Sequence, residues 1–236
     1  MPDSRYPGGE LELFAAAHNW KKYFGSRIRP YISGDVLEVG AGIGSTTHVL
    51  CSGSERSWTC IEPDPDLARQ LAATITQLAG PTLPTVRKCR IADLAADPAF
   101  DCILFVDVLE HIQDDRGEVE QAAARLRPGG HLVVLSPAHS FLFSEFDSQI
   151  GHFRRYSART LRSLSPTSTR LHDVFYLDSL GIILSLANRL LLHTGCPSTE
   201  QIMIWDRFVV PGSRILDRIL GYRIGKTIVA IWQRIP

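Results

Sequence analysis

Glu38, Glu62 and Asp93 each stand at or just beyond the C-terminal end of a short apolar run, and the first is followed at once by Gly40-Ala41-Gly42-Ile43-Gly44. Glycine at alternate positions lets a backbone pass against a flat, nucleoside-bearing ligand where a Cβ would collide. The spacing is G-x-G-x-G, with Ser45 and Thr46 where a dinucleotide fingerprint wants its third glycine. A carboxylate two residues ahead of the first glycine suits an ammonium or sulfonium group far better than a pyrophosphate. Glu38 therefore points to a cationic ligand. Glu62, eighteen residues beyond Gly44, has the position of an acid that accepts both hydroxyls of a ribose. Its competing reading is a helix N-terminal charge within Glu62-Pro63-Asp64-Pro65-Asp66. Asp93 is placed either to accept from an adenine amino group or to cap a solvated helix.

A second group of candidates lies further along. His139 and His152 follow an apolar run ending at Ser136, and Asp147 stands between them. Histidine titrates near neutrality and is the natural general base for an acceptor that arrives protonated; a structural role competes for each. From His152 to His172 there are five arginines (Arg154, Arg155, Arg159, Arg162, Arg170) and no acid. Guanidinium groups bind carboxylate or phosphate bidentately, so Arg154 and Arg155, with Tyr156, are expected to orient an anionic acceptor. The alternative ties these arginines to helix ends or to Asp147. No metal is expected.

The elements that must hold these residues are readable from apolar periodicity. Leu13, Ala17, Trp20 and Phe24 mark one face of an N-terminal helix. Strands are expected over 36–40, 57–62, 85–91, 100–106, 131–136, 169–177 and 226–233. Between them come helices over 45–51, from Asp64 as N-cap along Leu67, Leu71, Ile75 and Leu78 to a stop at Gly80, and over 115–127 before the Pro128-Gly129-Gly130 turn. Ser157 caps a short helix stopped by Pro166. A helix over 178–193, striped by Leu180, Ile183, Leu184, Ala187 and Leu191, and another over 213–220 form an insertion before the last strand. Strand and helix alternating with short joints is the pattern of a doubly wound sheet.

Composition sets wide bounds. The chain has 236 residues, 44% of them hydrophobic, with 25 basic and 25 acidic side chains. That neutrality lacks the basic excess of a nucleic-acid binder, and no nucleic-acid partner is expected. The five cysteines include no CxxC pair, as in a protein with reduced, buried thiols. The first ten residues hold no apolar signal region, and no run has the length of a membrane span. A cytoplasmic setting and a monomer or homodimer are expected, with peripheral membrane contact open through the apolar insertion.

Acids at three successive strand ends, read with Asp107-Val108-Leu109-Glu110-His111 and the stretch Leu126 to Pro137, resemble class I S-adenosylmethionine-dependent methyltransferases. Gly151-His152-Phe153-Arg154-Arg155-Tyr156-Ser157 is similar to a string in a bacterial branch of that family. The resemblance implies a Rossmann-like, doubly wound, seven-stranded α/β sheet whose last strand is antiparallel, with a helical insertion before it. Residues 1–33 would form a helical lid, 34–177 the cofactor-binding core, 178–222 a roof over the acceptor and 223–236 the last strand, all in one domain. It implies S-adenosylmethionine as cofactor, with Glu38, Gly40, Ala41 and Gly42 facing its methionine part. Glu62 and Pro63 would lie at the ribose, and Asp93 and Leu94 at the adenine. Asp107, Val108 and His111 would line the pocket near the methyl, with Trp20 and Tyr23 over the cofactor. The expected reaction is methyl transfer to a small organic acceptor, anionic or partly hydrophobic, with oxygen ahead of nitrogen and carbon. A lipid, glycolipid or quinone acceptor at a membrane surface is the first alternative. An NAD-dependent oxidoreductase is the second.

Overall fold

The computed structural model describes residues 6, 8–78, 83–95, 97, 99–187 and 197–236. Seven strands, β1 (Asp35–Val39), β2 (Ser57–Ile61), β3 (Thr85–Arg87), β4 (Phe100–Val106), β5 (Leu126–Pro137), β6 (Thr169–Leu177) and β7 (Thr227–Arg234), form one sheet. Their order is β3-β2-β1-β4-β5-β7-β6. The first five pair in parallel, and β7 runs antiparallel to both β5 and β6. Side chains alternate across each strand. Val36, Cys102, Leu104, Val133 and Val229 pack into one layer, while Leu37, Ile103, Phe105, Val134 and Ile228 pack into the other. Both layers are buried, which is why Cys102–Val106 of β4 and Leu132–Leu135 of β5 read as unbroken apolar runs. Strand order reverses between β1 and β4, so the loops leaving their C-terminal ends open a crevice there.

The helices that close the first layer are α1 (Glu10–Ala15), α2 (His18–Ile28), α3 (Thr47–Leu50) and α4 (Pro65–Ile75). Asp64 caps α4 as its sequence predicts, accepting from the amides of Asp66 and Leu67. The expected stop at Gly80 lies outside the described residues. The N-terminal stripe breaks between α1 and α2, and Ala17, Trp20 and Phe24 are its buried members. The second layer is closed by α5 (Asp115–Ala124) and α7 (Ala158–Ser163), and α6 (Glu145–Gln149) lies in the loop after β5.

Several expectations need correction. Pro128-Gly129-Gly130 does not separate α5 from a strand beginning at His131. It lies inside β5 as a bulge, because Phe100 pairs with Leu126 while Cys102 pairs with His131. The third strand is three residues long, and the chain turns into a 3-10 helix at Ile91–Asp93. The insertion holds α8 (Ser179–Ala187), and the rest of the helix expected to reach His193 lies outside the described residues. On α8 the stripe is wrong in part: Ile183 and Leu184 face solvent. Beyond it, a helical run begins at α9 (Thr199–Ile204), widens into a π-turn (Trp205–Val209) and ends as α10 (Val210–Ile219), where only 213–220 was expected. Its buried stripe is Ile202, Asp206, Val210, Ser213 and Asp217. Three of those five are polar, so apolar periodicity cannot find it.

Those buried acids fasten the insertion to the core. Asp206 accepts from the amides of Asn19 (3.1 Å) and Trp20 (2.8 Å) in the first turn of α2. Asp217 accepts from the Tyr23 hydroxyl (2.7 Å) and from the amides of Asp178 (2.8 Å) and Ser179 (2.9 Å). Carboxylates at helix N-termini are favoured by the exposed amides and by the helix dipole.

Candidate active site

The glycine loop leaves β1 at the crevice. Gly40, Gly42 and Gly44 all have positive φ. Gly40 needs its missing side chain as well as its φ of 63°, since a Cβ there would stand 2.8 Å from Val108. The loop thus locks onto the segment after β4 that carries Asp107 to His111.

Glu62 is buried and reaches across to this loop. One oxygen accepts from the Gly42 amide (2.9 Å) and the other from the Asp64 amide (3.0 Å). Burial raises its pKa and these two amides oppose that. Glu38 turns inward: its Oε2 accepts from Thr47 (2.8 Å) and the Trp58 indole (2.9 Å), with the Cys60 thiol at 3.8 Å. Burial lifts its pKa to about 7 against those donors. Asp93 is exposed and accepts from the Arg90 amide (2.8 Å), capping the 3-10 helix.

After β4 the backbone turns at Asp107 with φ 54°, a left-handed conformation that costs a non-glycine residue energy and is concentrated at functional sites. The Asp107 carboxylate is solvent-accessible but ringed by protein, and burial raises its pKa to about 6 against the charges of His152, Lys21, Lys226 and Arg155. Glu110 is fully buried, with Oε2 accepting from Ser136 (3.0 Å). Burial and the Asp107 charge hold its pKa well above the ordinary carboxylate range.

The loop after β5 brings the second group in. The Phe153 amide donates to the Glu110 carbonyl (2.8 Å), pinning the two loops together. His152 Nδ1 lies 2.8 Å from Asp147 Oδ1 and its Nε2 lies 4.0 Å from Glu110 Oε1. The His111 ring stands edge-on to that of His152, centroids 4.5 Å apart; burial and the neighbouring His152 press its pKa down to about 3. Ligand atoms of Glu110, His111 and His152 fall within 4.8 Å of one another.

The arginines are spoken for. Arg155 grips Asp147 with Nε and Nη2, both at 2.9 Å, and Arg154 pairs with Asp115 (2.6 Å) and the Gln113 carbonyl (2.8 Å). Tyr156 is buried and donates to Asp115 (2.9 Å) and the Leu109 carbonyl (3.2 Å). These contacts match the alternative reading, in which the arginines are tied within the fold, Arg155 to Asp147. One guanidinium nitrogen, Arg155 Nη1, is buried without a partner, as are Glu110 Oε1 and His139 Nε2. His139 has φ 65° and stacks parallel on Tyr176, centroids 5.1 Å apart.

Trp20 and Tyr23 are both buried. Trp20 packs against Phe24 and Trp205, and Tyr23 is buried with its hydroxyl on Asp217. Both belong to the core that seats the insertion. The residues over the glycine loop are earlier ones. Leu11 lies 3.4 Å from where a Gly42 Cβ would stand. The Tyr6 amide donates to Asp64 (2.6 Å), and its hydroxyl bonds Glu10 and lies 3.4 Å from His111 Nε2. No periodicity marks Tyr6, and Leu11 falls off the stripe that identifies the helix.

Comparison with known proteins agrees with this fold. Residues 13–185 match the family described as "Methyltransferase domain". A ubiquinone biosynthesis O-methyltransferase of Xanthomonas axonopodis pv. citri (strain 306) is 29% identical over 151 residues, 56% of this chain. The match spans 62% of that relative's length. Among solved structures, the methyltransferase bound to the Haloferax volcanii Trm112 activator aligns with TM-score 0.65 at 16% identity, over 98% of this chain and 99% of its own. The N-methyltransferase NodS of Bradyrhizobium japonicum WM9, solved with S-adenosyl-L-homocysteine, aligns with TM-score 0.58 at 14% identity, over 93% and 88%. With residues 13–185 matched and the sheet order of that fold, the chain belongs to the methyltransferase domain family and has the fold of class I S-adenosylmethionine-dependent methyltransferases.

Proposed function

We propose that this enzyme methylates an oxygen of a small hydroxylated acceptor, held where the loops after β4 and β5 meet. The observation that carries the reading is the set of buried polar atoms without partners there, Glu110 Oε1, Arg155 Nη1 and His139 Nε2. A buried polar atom left unpaired costs about 1–3 kcal/mol, so this group of donors and acceptors is suited to a ligand that supplies the missing bonds.

The cofactor end fits the same picture. A carboxylate offers about four acceptor sites, so Glu62 retains capacity for ribose hydroxyls beside the two amides it already serves. Gly40, Ala41 and Gly42 would flank the methionine part, with Asp107 and Val108 beside it. Pro63, Asp93 and Leu94 would lie toward the base, and Glu38 would act on the sulfonium through space from beneath the loop. When bound, the cofactor supplies a methyl group already activated by its positive sulfur. The chain's own task is to hold the acceptor in line, at roughly 3 to 3.5 Å, and to exclude water. Tyr6 and Leu11 cover the crevice. Activation of the acceptor hydroxyl falls to the cluster of Glu110, His111 and His152, with Asp147 fixing the His152 ring. His139, wedged in its aromatic stack, has the lesser claim.

Mass spectrometry of reactions with matched phenol, carboxylic acid and amine acceptors tests the reading. Methyl ethers are the expected products; turnover of amines alone would overturn it.

A second reading is favoured by the outer face of the insertion. Met203, Ile204, Phe208, Ile215 and Ile219 are exposed there beside exposed Arg207, Arg214 and Arg218, and no exposed acid occurs from 201 to 224. An apolar ridge flanked by arginine suits an anionic lipid surface, which would bring the enzyme to a lipid-like or quinone-type acceptor. Among the described residues no helix is long and apolar enough to cross a membrane.

A further inference from the structure

We propose that Glu110, His111 and His152 form a site for a divalent cation of the zinc or cobalt kind. Their ligand atoms lie within 4.8 Å of one another, a separation that one ion bonded to all three at about 2.0–2.2 Å would close with small side-chain movements. The carboxylate oxygen involved is the telling atom. Glu110 Oε1 is fully buried and bonds nothing, while its sister oxygen is held by Ser136 at 3.0 Å. It lies 4.0 Å from His152 Nε2, too far for a hydrogen bond and within the gap that two ligands of a shared ion would close by a small movement.

The surroundings have the form of a metal site's outer shell. A ligating imidazole almost always donates its other nitrogen to a carboxylate, which fixes the tautomer and aims the free nitrogen. His152 does this with Asp147 at 2.8 Å. Asp147 is in turn held by both Arg155 bonds and by the Ser144 amide and hydroxyl, each at 2.8 Å. The His111 ring is hydrogen-bonded to the backbone of Gly151 and Ile150, and the Tyr6 hydroxyl lies 3.4 Å from its Nε2. Two imidazoles and one carboxylate favour borderline cations over magnesium or calcium, which prefer oxygen. Three protein ligands leave a fourth position open, the arrangement of catalytic rather than structural sites.

The inference rests on the reading that an acceptor hydroxyl meets this cluster. A hydroxyl taking the open position would ionise at a lower pH, its proton passing to solvent. His152 then serves as a ligand, and no free general base is required.

The test uses the full chain with Co2+ and Zn2+ alone, beside S-adenosylhomocysteine as a control ligand. Visible ligand-field bands with one equivalent of Co2+, and a melting temperature raised by Zn2+, are expected for the wild type. Glu110→Gln should lose the bands while folding normally by circular dichroism. Asp147→Asn, which touches no ion, should weaken affinity about 10–100-fold. If the product analogue binds but Co2+ gives no bands, the metal inference fails and the methyltransferase reading stands. Bands that persist unchanged in Glu110→Gln would place the ion elsewhere and overturn the inference equally. Failure of the analogue itself to bind would count against the cofactor site, independently of the metal result.

Discussion

Asp147 Oδ1 lies 2.8 Å from His152 Nδ1 and the same carboxylate carries both bonds from Arg155. Burial raises the Asp147 pKa, but the His152 and Arg155 bonds and the arginine charge hold it well below the carboxylate range. A depressed carboxylate contributes stability that is present above its unfolded pKa, near 3.9, and is lost as pH falls towards the folded value. Asp147→Asn should therefore unfold at lower urea at pH 7, by about 3 kcal/mol for a broken buried pair. The gap to wild type should narrow in acid. A constant gap across the titration would contradict this account.

Glu38 has the opposite sign. Its pKa is raised by burial to about 7, so the folded protein loses stability as pH climbs from about 4.5 through 7, by up to roughly 3 kcal/mol. Glu38→Gln should flatten that decline. A positive ligand rewards the ionised form, so affinity for S-adenosylmethionine should rise with pH over the same window in wild type and not in the variant. Calorimetry at pH 5.5 and 8, roughly either side of that titration, reads both.

Tyr23→Phe removes the bond to Asp217, leaving a buried carboxylate short of one donor. We expect a loss of about 1–3 kcal/mol and unchanged cofactor affinity. A changed cofactor Kd at constant stability would return Tyr23 to the binding site.

Leu11 and Tyr6 cover the loop that Trp20 was expected to cover. Leu11→Ala should speed release of S-adenosylhomocysteine in stopped-flow displacement, several-fold, with little change in thermal stability. Release at the wild-type rate would remove the lid role from α1.

Co-sedimentation with phosphatidylglycerol vesicles should be strong in low salt and weak with phosphatidylcholine. Arg214→Glu with Arg218→Glu should abolish it, because each basic side chain near an anionic surface is worth about 1 kcal/mol. A salt-independent dimer in the centrifuge would identify the ridge as a subunit contact instead.

The sheet was legible because its signal is simple. Cys102–Val106 and Leu132–Leu135 are apolar on both sides, and Asp64-Pro65 announces a helix start in two residues. The insertion was legible only in part, since Asp206, Ser213 and Asp217 put polar atoms where a core stripe is sought. Asp93, read as either cap or ligand, makes the capping contact. The tie of Arg155 to Asp147 was one of two readings open in the sequence, and choosing it needs a three-dimensional loop path that spacing does not encode. The convergence of Glu110, His111 and His152 was hidden for the same reason. Forty residues separate His111 from Gly151, and only the docking of two loops brings the imidazoles together.

The widened turn at Trp205–Val209 makes segment length a constraint in its own right. Each residue of an α-helix advances the phase by about 100°, and the turn sets the offset between Asp206 and Asp217. Deleting one residue between them would swing α10 round by that angle, carrying Asp217 away from Tyr23 and turning Arg214 and Arg218 towards the inward places of Ser213 and Asp217. Evolution is free to repaint the outer surface here, but not to change the residue count.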